Sequence, residues 1–567
     1  MSKAKWVLLF LLAVLVAVPS YAVELTLGGF PSYFRIRPQY YSNSTFVSAL
    51  SNPQAQALGF NDNDDNITFV DSRLRLTPQL VLSDAVTIRA QVDVADNIIW
   101  GGTNSVLVRD VVFESVTPGD RFRGALLIGP LNTNVLFNGL GFTGAGIPTR
   151  PPFDPAGGSG IDTVGSFEAV GDSYNQYFNV RMLHVDLVLP KNLGFIRAGR
   201  QPFDWGLGIL ANGGWDPLSD LGFVLDRFLY LKSWGIYKGT FTFVFVSDRL
   251  AQGNSLTTGS GDGWDGGAFA LIYNQGPLTV GGYLFPYIHQ THFATICPPA
   301  PDPASGTVCT NLNLERFTLW AGLVDYKTDW WRVVGEIQGA QGEIEGGGSL
   351  GLQDEIDIDG SNIIFAARAE VYPGFPVKVG AVEFGYAKGD EVDCLIQDGV
   401  VQPGCDPGFE GNVVAFSPAY NLDNLLFKHI IPSIYGLENS VINAFYVRGW
   451  MTAKLLDHVT FTPQVVFAWN EETQALVPRG FFVDNLSGEV DRFLGAEIEG
   501  TLSVEVVTGV NFDFIGSVVI AGDGLKDLYD QRAAIEVGSD TQNGFNAPSS
   551  PFAFQGRLMV YIDQFFK

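Results

Sequence analysis

Arginine is the residue whose type and placement carry the most chemistry in this sequence. Fifteen of its 22 arginines fall within segments of alternating apolar and polar residues: Arg35, Arg37, Arg73, Arg75, Arg89, Arg181, Arg197, Arg200, Arg227, Arg316, Arg332, Arg368, Arg448, Arg492 and Arg557. A guanidinium presents planar, two-pronged donors that match carboxylate or phosphate. Asp71, Asp93, Glu336, Glu370, Asp513 and Asp563 stand among them on the same face of the alternation. Two readings follow. The arginines select anionic solutes, or the opposite charges pair across neighbouring strands and stiffen a wall.

The remaining reactive groups say less. Four cysteines form two close pairs, Cys297 with Cys309 and Cys394 with Cys405, at spacings that match no zinc pattern. Two local disulfides are expected of an oxidising compartment. His289 and His292 are three apart, which puts them on opposite faces of a strand, and His184, His429 and His458 are scattered. No metal site is expected. The acidic stretches at 61–66 ("NDNDDN") and 354–360 ("DEIDIDG") lack the calcium-loop pattern and read as solvated loops. There is no G-x-S-x-G and no nucleophile with an accompanying histidine. The expectation is a protein that is not an enzyme and needs no cofactor. A net charge of −26 argues against nucleic-acid binding.

The elements that position the arginines follow from patterning. Lys3 and Lys5, an apolar stretch over 6–18 and Ser20-Tyr21-Ala22 read as a secretory signal over 1–22, leaving 23–567 as one domain. Thereafter alternation dominates. Val459, Phe461, Pro463, Val465, Phe467 and Trp469 share one face, and Thr460, Thr462, Gln464 and Asn470 the other. The charged fraction is 17% and mean hydropathy +0.15, below the charge of an ordinary soluble chain. A closed sheet satisfies every backbone group in lipid without helices.

Short connections near 83–84, 190–194, 238–239, 274–277, 328–329, 373–376, 456–457 and 506–509 alternate with long ones. The long ones span 43–66, 102–173, 207–225, 251–263, 292–313, 345–360, 389–439, 472–488 and 522–550. Short periplasmic turns and long extracellular loops are the signature of a transmembrane antiparallel β-barrel, here all-β with eighteen strands and both ends periplasmic. Tyr40, Tyr41, Trp100 and Trp469 fall at outer strand ends, and Trp330, Trp331, Phe565 and Phe566 at inner ends, as interfacial girdles. The loop 102–173 contains "ALLIGPL" and "NVLFNGLGF". It is too apolar for a solvated loop and is expected to fold into the lumen. The C-terminal "FQGRLMVYIDQFF" resembles the strand read by the bacterial barrel-assembly machinery, although Lys567 follows the last aromatic.

The segment "FIRAGRQPFDWGLGILANGGW" resembles a motif of alginate-export-type, porin-like outer-membrane barrels. Arg197, Gly199, Arg200, Gln201, Trp205, Gly206 and Gly208 carry the resemblance, which extends from Tyr174 to Tyr237. It implies an eighteen-stranded barrel whose lumen passes anionic polysaccharide or smaller solutes. At the bilayer midplane a lipid-facing arginine costs about 2–4 kcal/mol, so the strand arginines are expected in the lumen. Arg35, Arg37, Arg73, Arg75, Arg89, Arg197, Arg316, Arg332, Arg368, Arg448 and Arg557 are the expected pore-lining set. The reading is a bacterial outer-membrane channel for passive passage of anionic solutes, in contact with lipid and lipopolysaccharide. Its alternative is a surface adhesin or receptor with working external loops and a plugged lumen.

Overall fold

The computed structural model describes residues 24–27, 30–42, 66–99, 178–219, 222–252, 263–296, 310–345, 355–389, 396–397, 400–401, 415–417, 419–431, 439–473, 490–528 and 550–564. The expected signal segment over 1–22 and the loop 102–173 expected in the lumen lie outside the described residues. The two expected disulfides, Cys297 with Cys309 and Cys394 with Cys405, also fall outside them, so no disulfide occurs among the described residues.

Eighteen strands form the wall. They are β1 (Tyr33–Ser42), β2 (Asn66–Leu76, continued by Pro78–Ser83), β3 (Val86–Ile99), β4 (Phe178–Leu189), β5 (Gly194–Pro202) and β6 (Val224–Ile236). Next come β7 (Gly239–Gln252), β8 (Gly263–Gln275), β9 (Leu278–Ile296), β10 (Thr310–Lys327), β11 (Trp331–Glu345) and β12 (Glu355–Val371). The last are β13 (Val377–Ala387), β14 (Ala444–Leu456), β15 (Val459–Asn470), β16 (Phe493–Val507), β17 (Val510–Ala521) and β18 (Phe552–Tyr561). Each strand pairs antiparallel with its sequence neighbour, and β18 returns to β1 in the register Tyr33↔Tyr561 to Ser42↔Phe552. That closure removes the sheet's edges, which in lipid would leave a row of backbone groups unpaired. A short N-terminal strand, Glu24–Leu27, continues the wall beneath β1 by pairing with Pro78–Ser83.

Period-two patterning decides which side chains enter the lumen. In β15, Gln464, Val466, Ala468 and Asn470 are buried inside while Phe461 and Phe467 are exposed outside. Phe228, Leu271, Val324, Val382, Phe514 and Phe554 are likewise exposed on the outer wall, where burial in hydrocarbon is worth about 25 cal/mol per Å². Among the described residues no helix is long and apolar enough to cross a membrane. The girdle needs one correction. Tyr41 shares the inward parity of Arg37 and Gln39, is buried, and meets His429 edge to face at 5.6 Å.

Candidate functional site

The lumen is crossed by chain that the alternation places outside the wall. Beyond β5 the segment 203–219, expected as part of an external loop over 207–225, turns inward. Phe203 N–H donates to Phe223 C=O at 3.1 Å, and Trp205 N–H to Ala211 C=O at 3.0 Å. Between them Gly206 (φ 54°) and Gly208 (φ 92°) adopt left-handed backbone, which glycine takes without steric cost. The result aims four successive N–H groups at one carboxylate. Leu207, Gly208, Ile209 and Leu210 donate to Glu336 of β11 at 2.6, 3.0, 3.4 and 3.0 Å. A Cβ on Gly206 would lie 2.6 Å from Glu336 Oε2. Gly206→Ala should therefore weaken the docking by at least about 1 kcal/mol, read as faster amide exchange at Leu207 to Leu210 with β-barrel content unchanged.

The far side of the same segment rests on arginines. Arg35 donates to Pro217 C=O at 2.9 Å, Arg73 to Ser219 C=O at 2.7 Å, Arg75 to Gly214 C=O at 3.0 Å and Arg181 to Gly213 C=O at 2.8 Å. Trp215 stacks on Phe30, just before β1, with ring centroids 3.8 Å apart. One segment thus spans from β11 to the wall of β1, β2 and β4.

A second inward segment, 415–431, comes from the connection between β13 and β14. Its amides at Asn424, Leu425 and Leu426 donate to the carboxylate of Glu497 on β16 at 3.1, 3.2 and 2.7 Å. Arg448 and Gln464 donate to the carbonyls of Asn421 and Leu422 at 3.4 and 3.0 Å. Asp423 accepts from the N–H groups of Phe427 and Lys428 and so starts the short π-helical turn Leu426–Ile430. Burial pushes the Asp423 carboxyl up to about 7, against the opposing pull of those two amides. The two segments meet where Ser417 N–H donates to Ile209 C=O at 2.9 Å. Ile209, Phe416, Leu425, Leu426 and Ile430 pack into an apolar cluster with inward residues of β14, β15 and β17.

The arginines divide by exposure. Arg35 pairs with Asp71 at 3.7 Å, Arg37 with Asp71 at 2.9 Å, Arg75 with Asp93 at 2.6 Å and Arg557 with Asp513 at 2.9 Å, all buried. Arg73 is fully buried against the inward segment. Arg89 and Arg197 share Asp186 and keep 30% and 27% of their side chains exposed. Arg332, Arg368 and Arg448 are also half-buried, on a chain of Asp325, Glu370 and Glu383. Arg316 lies in β10, with its side chain outside the described residues. Arg200 points the other way. It grips Asp226 at 2.9 Å on the outer face, near the outer strand ends.

Residue patterning alone does not single out Glu336 and Glu497 as anchors. The first stands in the sequence among carboxylates suited to arginine, yet its partners are amides. The signal was present in the segment over 205–210, "WGLGIL", whose apolarity is the same mark that singles out the loop 102–173. Among the described residues no group of three or more His, Cys, Asp or Glu is arranged to hold a metal.

No family model and no curated protein matches the chain. Solved structures do. OccK5 (OpdH) of Pseudomonas aeruginosa is 8% identical, covering 94% of this chain and 99% of its own, with TM-score 0.41. OccAB1 of Acinetobacter baumannii is 10% identical over 94% and 95%, with TM-score 0.38. An anion-selective porin from Comamonas acidovorans is 10% identical over 95% and 99%, with TM-score 0.34. The strand pairing stands independently of these: an even-numbered, closed antiparallel wall with an apolar outer face is an outer-membrane β-barrel.

Proposed function

We propose that the chain is a porin-like outer-membrane channel, narrowed by two inward segments, for passive passage of anionic solutes. The observation that carries this is a charge imbalance along one side of the lumen. Among the described side chains of β17, β18 and β1 to β5, eight inward arginines stand against four inward carboxylates: Arg35, Arg37, Arg73, Arg75, Arg89, Arg181, Arg197 and Arg557 against Asp71, Asp93, Asp186 and Asp513. Passage needs no cofactor and no energy source. Arg89 and Arg197 are the groups a passing carboxylate meets, with Arg332, Arg368 and Arg448 on the facing wall. The buried arginines act on the solute through the shape they give to 203–219. The Gly-Arg-Gln and Gly-rich motif, with its likeness to alginate-export-type barrels, supports a uronate as the first solute to try.

Liposome swelling tests the solute class. Entry of a uronate oligomer should outpace that of a neutral sugar of the same size, and Arg89→Gln with Arg197→Gln should remove the difference. Faster entry of the neutral sugar contradicts the proposal. A receptor or adhesin with a plugged lumen is the second reading, favoured by the contact of Ile209 with Ser417 across the bore.

A further inference from the structure

One sector of the inner rim stands apart from the rest of the outer wall. The turn between β4 and β5 carries Lys191 and Asn192, and the turn between β6 and β7 carries Tyr237 and Lys238. All four have left-handed backbone, with φ of 56°, 56°, 42° and 61°. Turns of this kind favour asparagine and glycine, so two lysines and a tyrosine sit here against local preference. Tyr237 is 83% exposed.

The groups around these turns are tied together. The Lys232 ammonium donates to Asn192 C=O and lies 5.9 Å over the Trp234 ring. Tyr230 donates to Leu193 C=O at 2.8 Å, and Tyr273 to Tyr237 C=O at 3.1 Å. Trp234 faces outward with the exposed Phe228 and Ile236, at the level where aromatic residues meet lipid headgroups. The stretches that build this sector, 187–199, 229–247 and 269–286, contain no Asp and no Glu. Elsewhere on the rim a lysine finds a carboxylate, as Lys454 does with Asp457 at 2.9 Å. Among the described residues no carboxylate pairs with Lys191, Lys232 or Lys238.

We propose that this sector binds the phosphate of an anionic phospholipid in the bilayer leaflet that meets the inner rim. Three ammonium groups supply the charge, Trp234 and Tyr237 flank the headgroup, and the outer wall below Phe228 receives the acyl chains. A lysine beside an anionic lipid surface contributes enough to change affinity about fivefold.

Native mass spectrometry of the full-length folded barrel, given phosphatidylglycerol or phosphatidylcholine of identical chains, reads the site directly. Phosphatidylglycerol should be retained in preference. Lys191→Gln, Lys232→Gln and Lys238→Gln should each weaken retention about fivefold, and the triple variant should lose the preference. Lys454→Gln should leave it intact. Equal retention of both lipids by the unaltered protein overturns the proposal without any variant. So does an unchanged preference in the triple variant. Displacement of the lipid by inorganic phosphate at equal concentration would assign the site to free phosphate instead.

Discussion

Glu336→Ala should open the lumen. The substitution leaves the amides of Leu207, Gly208, Ile209 and Leu210 without the carboxylate that now receives all four. A buried donor without a partner costs about 1–3 kcal/mol, and water entering beside the freed segment recovers part of that. A net loss of about 3 kcal/mol of docking shifts the ratio of docked to released segment by more than a hundredfold. Single-channel traces should then show larger current steps with frequent transitions between levels, while the folded barrel persists. Glu336→Gln keeps one carbonyl oxygen and should fall between the two. A trace indistinguishable from the unaltered protein would show that the arginine contacts on the opposite wall hold the segment alone.

The second large effect separates the fully buried arginines from the partly exposed ones. Arg75 meets Asp93 through two bonds of 2.6 and 2.7 Å, and neither side chain reaches solvent. Arg75→Gln strands a buried carboxylate and should cost about 3–5 kcal/mol, seen as a lower guanidinium midpoint for the detergent-solubilised barrel. Replacing both partners by apolar residues of similar volume should recover most of the loss. Arg197→Gln behaves differently. Arg197 is itself partly exposed, and its buried partner Asp186 keeps Arg89 at 3.6 Å when Arg197 is gone. The carboxylate is therefore not stranded, and the stability loss should be clearly smaller than that of Arg75→Gln. Equal stability losses for Arg75→Gln and Arg197→Gln would contradict this division.

The wall was legible because lipid and lumen impose a two-residue period on every strand. The β15 sequence shows it plainly: Phe461 and Phe467 outside, Gln464 and Asn470 inside. The eighteen strands follow from that period and from short connections alternating with long ones. The filling of the lumen was not legible in the same way. Glu336 receives amides 126 to 129 residues away, and Glu497 receives amides 71 to 73 residues away. Nothing in a period of two reports a contact of that range. Arginine placement was half readable. Parity put Arg35, Arg73 and Arg75 inside, but a backbone carbonyl of 203–219, which carries no side-chain signature, took up a donor of each. Tyr41 shows the same limit. Its position at a strand end suggested the interface, and its parity, shared with Arg37, placed it inside.

Reversal potential under a KCl gradient, measured on single channels in planar bilayers, decides whether the lumen passes anions. Carboxylates remote from the bore are screened beyond about 8–10 Å, whereas in the proposed channel Arg89 and Arg197 meet an ion at contact, so the net charge of −26 does not set the sign. The channel should give discrete current steps with a reversal potential on the chloride side, moving toward the potassium side in the Arg89→Gln, Arg197→Gln double variant. Steps that prefer potassium and ignore the substitutions, or a folded and inserted barrel that passes no current, would contradict anion passage.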